Sequence, residues 1–200
     1  MIHRLTLVLF CCLWVAGCGT AAISEEGVAS YFWVAAPMHY DVWVEHLELG
    51  RSANYKWNQP PGGISCCWRG PQGPKGVGGR LEPFPDYIRI RWFSFAEQKF
   101  YQHLMHVPPG WGEKMQERAP HHTHLNGVVE KRRNRLVLGL APGGQIVVWL
   151  MSQIGNEIEV ERFQANEVDG DISTYQKRTE EYRESSGTHL ETHGIPLEGW

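Results

Sequence analysis

Asn134–Ala165 reads NRLVLGLAPGGQIVVWLMSQIGNEIEVERFQA. Two apolar runs, rich in Leu, Val and Ile, flank Pro142-Gly143-Gly144, and a third segment, EIEVERF, alternates strictly after Gly155-Asn156. Runs of this length and composition between turn residues form β-strands, and the two breaks are hairpin signals. Three antiparallel strands in sequence, a meander, are therefore expected here.

The same reading extends outward. VASYFWVA and DVWVEHLELG, separated by PMHY, are expected to be two strands, and DYIRIRWFSF alternates into a third, followed by a fourth from Lys99 to Val107. PPGWGEKMQERA places two prolines before helix formers and predicts a short helix; HHTHLNG is expected to be a loop, and DISTYQKRTEEYRE a second helix. Residues 52–85 are dense in Gly and Pro and read as ordered loops around a short strand. About seven strands with short helices predict a mainly β fold, an antiparallel β-sandwich or curled sheet.

At the N-terminus, a basic start with His3 and Arg4 precedes an apolar run from Leu5 to Val15 and small residues at Ala16 and Gly17. That is the architecture of a secretory signal peptide, too short for a membrane span. Val15-Ala16-Gly17-Cys18 resembles the lipobox of bacterial lipoproteins. The resemblance implies cleavage before Cys18 and acylation of that residue, and two or three acyl chains hold a protein to a bilayer without a transmembrane helix. Gly19 rather than Asp after the cysteine implies the outer membrane, facing the periplasm. The expected organisation is a signal peptide at 1–17, a lipidated tether at 18–29, one β-rich domain at 30–184 and a polar tail at 185–200.

The whole chain carries a formal charge of −3, and its one dense basic run is Lys131-Arg132-Arg133-Asn134-Arg135. Nucleic-acid binding wants a broader basic face with interleaved aromatics, so this run reads as a solvated turn before a strand, and no nucleic-acid partner is expected. Nine tryptophans in 200 residues mostly serve a β core. Trp57, Trp68 and Trp111 stand among Gly and Pro and, with Arg69, are the expected exposed anchors for a partner. Cys66 and Cys67 are adjacent, with Cα atoms about 3.8 Å apart against a usual disulfide span of roughly 4.4 to 6.8 Å. A strained vicinal bridge and two free thiols both stay open.

Catalytic patterns are sparse. His121, His122 and His124, with Glu113 and Glu117 upstream, are the candidate metal ligands, but neither an HExxH helix nor paired Cys/His spacing accompanies them, so a surface loop of histidines is expected and no metal. There is no Gly-x-Ser-x-Gly, and GPQGPKGVGGR lacks the setting of a phosphate loop. Neither a cofactor nor an enzymatic activity is expected.

Trp92, Ser94, Lys99, Phe100 and Tyr101, followed by Pro142, Gly143, Gly144, Trp149 and Leu150, resemble an uncharacterised family of bacterial lipoproteins, a domain of unknown function, over about residues 31–163. The shared residues place core aromatics and a turn. Similar lipoproteins accompany type VI secretion effectors, so the resemblance implies a periplasmic immunity protein whose partner is a secreted toxin such as a phospholipase. An acidic balance would steer such a protein toward a basic partner. The alternatives are a structural envelope lipoprotein and a metal-dependent hydrolase using the histidines.

Overall fold

The computed structural model describes residues 30–51, 55–58, 60–66, 68 and 77–200. Among these the chain forms β1 (Tyr31–Ala35), β2 (Val42–Arg51), β3 (Tyr55–Asn58), β4 (Gly62–Ile64), β5 (Val77–Arg80), β6 (Tyr87–Ser94), β7 (Lys99–His106), α1 (Pro109–Gln116), β8 (Arg118–Thr123), β9 (Gly127–Arg132), β10 (Arg135–Ala141), β11 (Gln145–Met151), β12 (Ile158–Gln164), β13 (Asn166–Val168) and α2 (Gln176–His193). One sheet has the order β12-β11-β10-β1-β5; the second has β13-β7-β6-β2-β3, with β4 also on β2; β8 and β9 form a separate ribbon.

The expected meander is β10-β11-β12, paired antiparallel. Its turn needs Gly143 and Gly144, whose φ values of 74° and 72° lie in the left-handed region that favours glycine. The apolar runs of β10 and β11 are continuous because both faces are covered. Leu136, Leu138 and Leu140 of β10 and Ile146, Val148 and Leu150 of β11 fill the space between the sheets. Their alternate neighbours Val137, Ala141, Val147, Trp149 and Met151 form a second cluster with Ala35 and Trp68. Period-two alternation thus divides each strand between two cores.

Three features depart from the sequence reading. First, β1 pairs parallel to β10 within an otherwise antiparallel sheet, a long-range pairing with no local signature. Second, HHTHLNG is not simply a loop: His121 and His122 lie in β8, which pairs with β9 around a turn between Thr123 and Gly127. Third, the segment 185–200 is not a free tail. α2 runs on to His193, because Tyr175 and Tyr182 pack with Phe93, Phe95 and Phe100 on the outer face of the second sheet. Tyr175 stacks on Phe93 at 4.6 Å between ring centroids, and Tyr182 Oη donates to the main-chain oxygen of His39 at 2.6 Å.

Beyond α2 the chain crosses the end of the sandwich. Tyr40 Oη donates to the Gly194 oxygen at 3.0 Å, and the Trp200 ring lies 5.1 Å from Tyr40 and 6.0 Å from Trp68. Arg162 Nη1 donates to the Trp200 main-chain oxygen. The C-terminal residues therefore strap one sheet to the outer face of the other.

Candidate functional site

Of the expected partner anchors, two are interior. Trp111 is 2% exposed in α1, and Trp68 is 7% exposed, edge-on to Trp149 at 4.9 Å. Gly139 makes room for that pair: a Cβ there would lie 2.4 Å from the Trp68 ring and 2.5 Å from Trp149. Around Trp111 the Pro and Gly belong to the start of α1, and these two tryptophans close the sandwich instead of facing a partner. Trp57 lies in β3, its side chain outside what is described; Arg69 and Cys18 lie outside the described residues. Cys66 is disulfide-bonded and so is not a free thiol, while Cys67 lies outside the described residues.

The histidines do not converge. His121 Nδ1 is 3.2 Å from Ser152 Oγ, and burial, reinforced by the charges of Lys131, Arg135 and His122, pushes its pKa below the ordinary imidazole value. His122, next on the strand, faces the other way and is tied through its main-chain N–H to Gln153 Oε1 at 2.6 Å. Among the described residues no group of three His, Cys, Asp or Glu is placed to hold a metal.

Two charged regions occupy opposite ends of the sandwich. At the end where β10 turns into β11 and β12 crosses into β13, a cleft of about 360 Å³ opens between Glu97, Tyr101, Gln145, Gln164, Glu167 and Glu198. Glu97 is its centre. Tyr101 Oη donates to Glu97 Oε1 at 2.8 Å, and the Gly143 N–H donates to the same oxygen at 3.0 Å. The other carboxylate oxygen, Oε2, is buried without a hydrogen-bond partner. Burial first, then the bond to Glu97, raises the Tyr101 phenol above its ordinary pKa, so it stays a donor. Lys99 is the cation in the cleft and is engaged with Glu167 at 2.7 Å. Nearby, at the start of β2, burial pushes Asp41 up to about 6.

At the opposite end, β1 begins beside the base of the β8–β9 ribbon: the Tyr31 N–H donates to the Asn134 oxygen at 2.8 Å. The ribbon is braced on the turn after β11, where Asn156 Nδ2 donates to the Pro120 oxygen at 2.8 Å. Its tip is fixed by Thr123, whose hydroxyl donates to the Gly127 oxygen at 3.1 Å and accepts from the Asn126 N–H at 3.0 Å. Between Arg118 and Arg135 stand five Lys/Arg side chains and one Glu. The guanidinium groups are seated on main-chain oxygens: Arg118 on Glu130 at 2.8 Å, Arg133 on Asn156 at 3.1 Å, Arg135 on Ser152 at 2.9 Å. Arg135 also lies over the Trp33 ring at 4.4 Å.

Sequence reasoning marked the basic run Lys131-Arg132-Arg133-Asn134-Arg135 as a solvated turn but missed both the ribbon and the cleft. The Asn126-Gly127 dipeptide, a hairpin signal, would have marked the ribbon. Glu97 carries no such signal; its partners come from other turns. The shared motif residues are structural as expected, with Trp92, Phe100, Tyr101, Trp149 and Leu150 all buried. No helix among the described residues is long and apolar enough to cross a membrane.

A family model described as a protein of unknown function (DUF2931) matches residues 21–198, and the chain belongs to that family. No curated protein and no solved structure matches it.

Proposed function

We propose that this member of the DUF2931 family is a lipid-anchored periplasmic binding protein, held to the outer membrane through Cys18. Its role is that of an immunity protein, which binds and neutralises a type VI secretion toxin such as a phospholipase effector. The lipobox resemblance of Val15-Ala16-Gly17-Cys18 supports the anchor. A filled sandwich strapped by its own C-terminal residues supports a rigid binding scaffold, which limits the ordering cost of association.

The observation that carries the reading is the acidic cleft. Glu97 is held by two neutral donors, and Glu167 and Glu198 stand at the rim. That arrangement suits a cationic side chain, Lys or Arg, presented by a protein partner, since a charge-assisted hydrogen bond is about twice as strong as a neutral one. The cleft lies at the end of the sandwich away from Ser30, where the chain arrives from the proposed anchor, so it would point away from the bilayer.

The test is to express the chain from Gly19 onward with an affinity tag, capture partners from the producing organism and identify them by mass spectrometry. One stoichiometric secreted enzyme, lost with Glu198→Lys and weakened by salt, is the expected result. Absence of any stable partner would favour a structural envelope lipoprotein.

A further inference from the structure

Between β1 and β2 the chain turns at residues 37–40, where the Tyr40 N–H donates to the Pro37 oxygen at 3.0 Å. Both α2 and the strap that follows it are attached there: Tyr182 Oη donates to the His39 oxygen, and Tyr40 Oη donates to the Gly194 oxygen. His39 adopts a φ of 70°, in the left-handed region that residues with a side chain seldom enter. Its imidazole lies flat on that of His189, with ring centroids 4.1 Å apart and planes 18° from parallel. His189 stacks in turn on His193, one helical turn further on, at 4.2 Å and 15°. Three imidazoles therefore form one column across the junction of turn and helix.

The groups packed on the column come from three places. In the β1–β2 turn, Tyr40 Oη lies 3.5 Å from His189 Nε2, and the Tyr40 ring meets His189 edge-on at 5.7 Å. In α2, His193 Nδ1 lies 3.1 Å from the His189 oxygen, and from the strap Trp200 packs on Tyr40. Asp41, next along the chain, acts on Tyr182. Desolvation first, then the like charges of His39 and His193, lower the His189 pKa below the ordinary imidazole value of 6.5. Such a histidine contributes stability that is fully present above 6.5 and is lost as the pH falls. Asp41, raised to about 6, has the opposite sign, because its contribution is present at low pH and lost as the pH rises. The two titrate in neighbouring windows and push in opposite directions.

We propose that His39, His189 and His193 form an acid-operated latch: as neutral rings they hold the last turns of α2 and the start of the strap to the β1–β2 turn, and protonation of neighbouring rings releases them. Imidazole is the side chain whose charge ordinarily changes between about pH 5 and 8. Neutral rings stack without a charge penalty, whereas two imidazolium ions about 4 Å apart repel. The chain beyond Gly194 reaches the acidic cleft, which Leu197 and Glu198 help to line. The Leu197 main chain lies over the Gly143 turn, its oxygen 2.5 Å from where a Cβ on Gly143 would stand. Acid would thus draw Glu198 from the rim of the cleft. That consequence rests on the cleft reading above, and the latch itself does not.

The test is hydrogen exchange, followed by mass spectrometry, on the full chain in mild detergent with EDTA at pH 7.5 and pH 5.0, each rate divided by its intrinsic value at that pH. The reporting amides are those of residues 189–194, among them the Gly194 N–H, which donates to the Leu190 oxygen at 2.8 Å. Their protection should fall at least about fivefold at pH 5.0, the factor for two unit charges about 4 Å apart in water. Residues 136–150, in β10 and β11, should keep theirs. His189→Phe and His193→Phe each retain a ring without its charge and should stay protected at pH 5.0, while Asp41→Asn should respond as the wild type does. Wild-type protection that does not change with pH, an unaltered response in both Phe variants, or low protection at pH 7.5 in both would overturn the latch. So would a response that only Asp41→Asn abolishes. Partner capture at the two pH values reports on the cleft by itself: a latch that opens while capture is unchanged upholds the latch and removes its consequence for the cleft.

Discussion

The two ends of the sandwich use the same device with opposite signs. At the β8–β9 ribbon, guanidinium groups rest on main-chain oxygens; at the cleft, the Glu97 carboxylate rests on a tyrosine hydroxyl and a main-chain N–H. Between the ends, Arg91 meets Glu45 at 2.6 Å and the charges close on each other. At Glu97 two neutral donors hold the carboxylate in place while leaving its field available to a third party, whereas an ion pair consumes it. Arg133 is the intermediate case, because its second contact is Glu117 at 3.7 Å.

The comparison depends on one scaffold holding both ends, so the largest effect should come from breaking that scaffold. Leu138 is fully buried between the sheets. Leu138→Ala should cost about 2–5 kcal/mol through lost burial and the cavity left behind. Urea unfolding would show this as a lower midpoint with an unchanged slope, and partner capture should decline with it.

A smaller, one-sided effect is expected from the hydroxyl that positions Glu97. Tyr101→Phe removes its donor and should cost about 1–2 kcal/mol, below the range for a fully buried charged hydrogen bond because the cleft is open to water. Paired with Glu97→Gln in a double-mutant cycle, it should show coupling. Additive losses would mean that the hydroxyl does not hold the carboxylate.

The smallest effect sharpens the acidic end. Burial pushes Asp41 up to about 6 in the folded state, above its ordinary value of 3.8. A raised carboxyl pKa means that its contribution to stability is fully present below about pH 4 and is lost as the pH rises through 6. Asp41→Asn should therefore stabilise the protein at pH 7.5 by about 1 kcal/mol, after allowance for partial solvation. The gain should vanish near pH 4 in melts taken across that window, and a pH-independent difference would show that another cause is at work.

Much of the fold was legible locally. Pro142-Gly143-Gly144 and Gly155-Asn156 are turn signals flanked by strand patterns, and β10, β11 and β12 lie where those patterns place them. The candidate sites were less legible. Trp68 and Trp111 look exposed from their neighbours in sequence, yet each is covered by residues distant in the chain, Trp149 and Trp200 for Trp68 and Phe163 for Trp111. Glu97 gains its meaning from Gly143, 46 residues away.

By itself, then, the sequence determined that β1, β2, β6, β7 and β10 to β12 are strands and where the β10–β12 meander turns, because backbone preference and side-chain period act over a few residues. It also marked the one dense basic run, Lys131-Arg132-Arg133-Asn134-Arg135. Only the tertiary structure decided that β1 joins β10 in parallel, that the C-terminal residues strap the sandwich, and that Glu97 meets Tyr101 and Gly143. Those outcomes depend on contacts between residues far apart in the chain, whose cost in loop closure and gain in buried area no local pattern records.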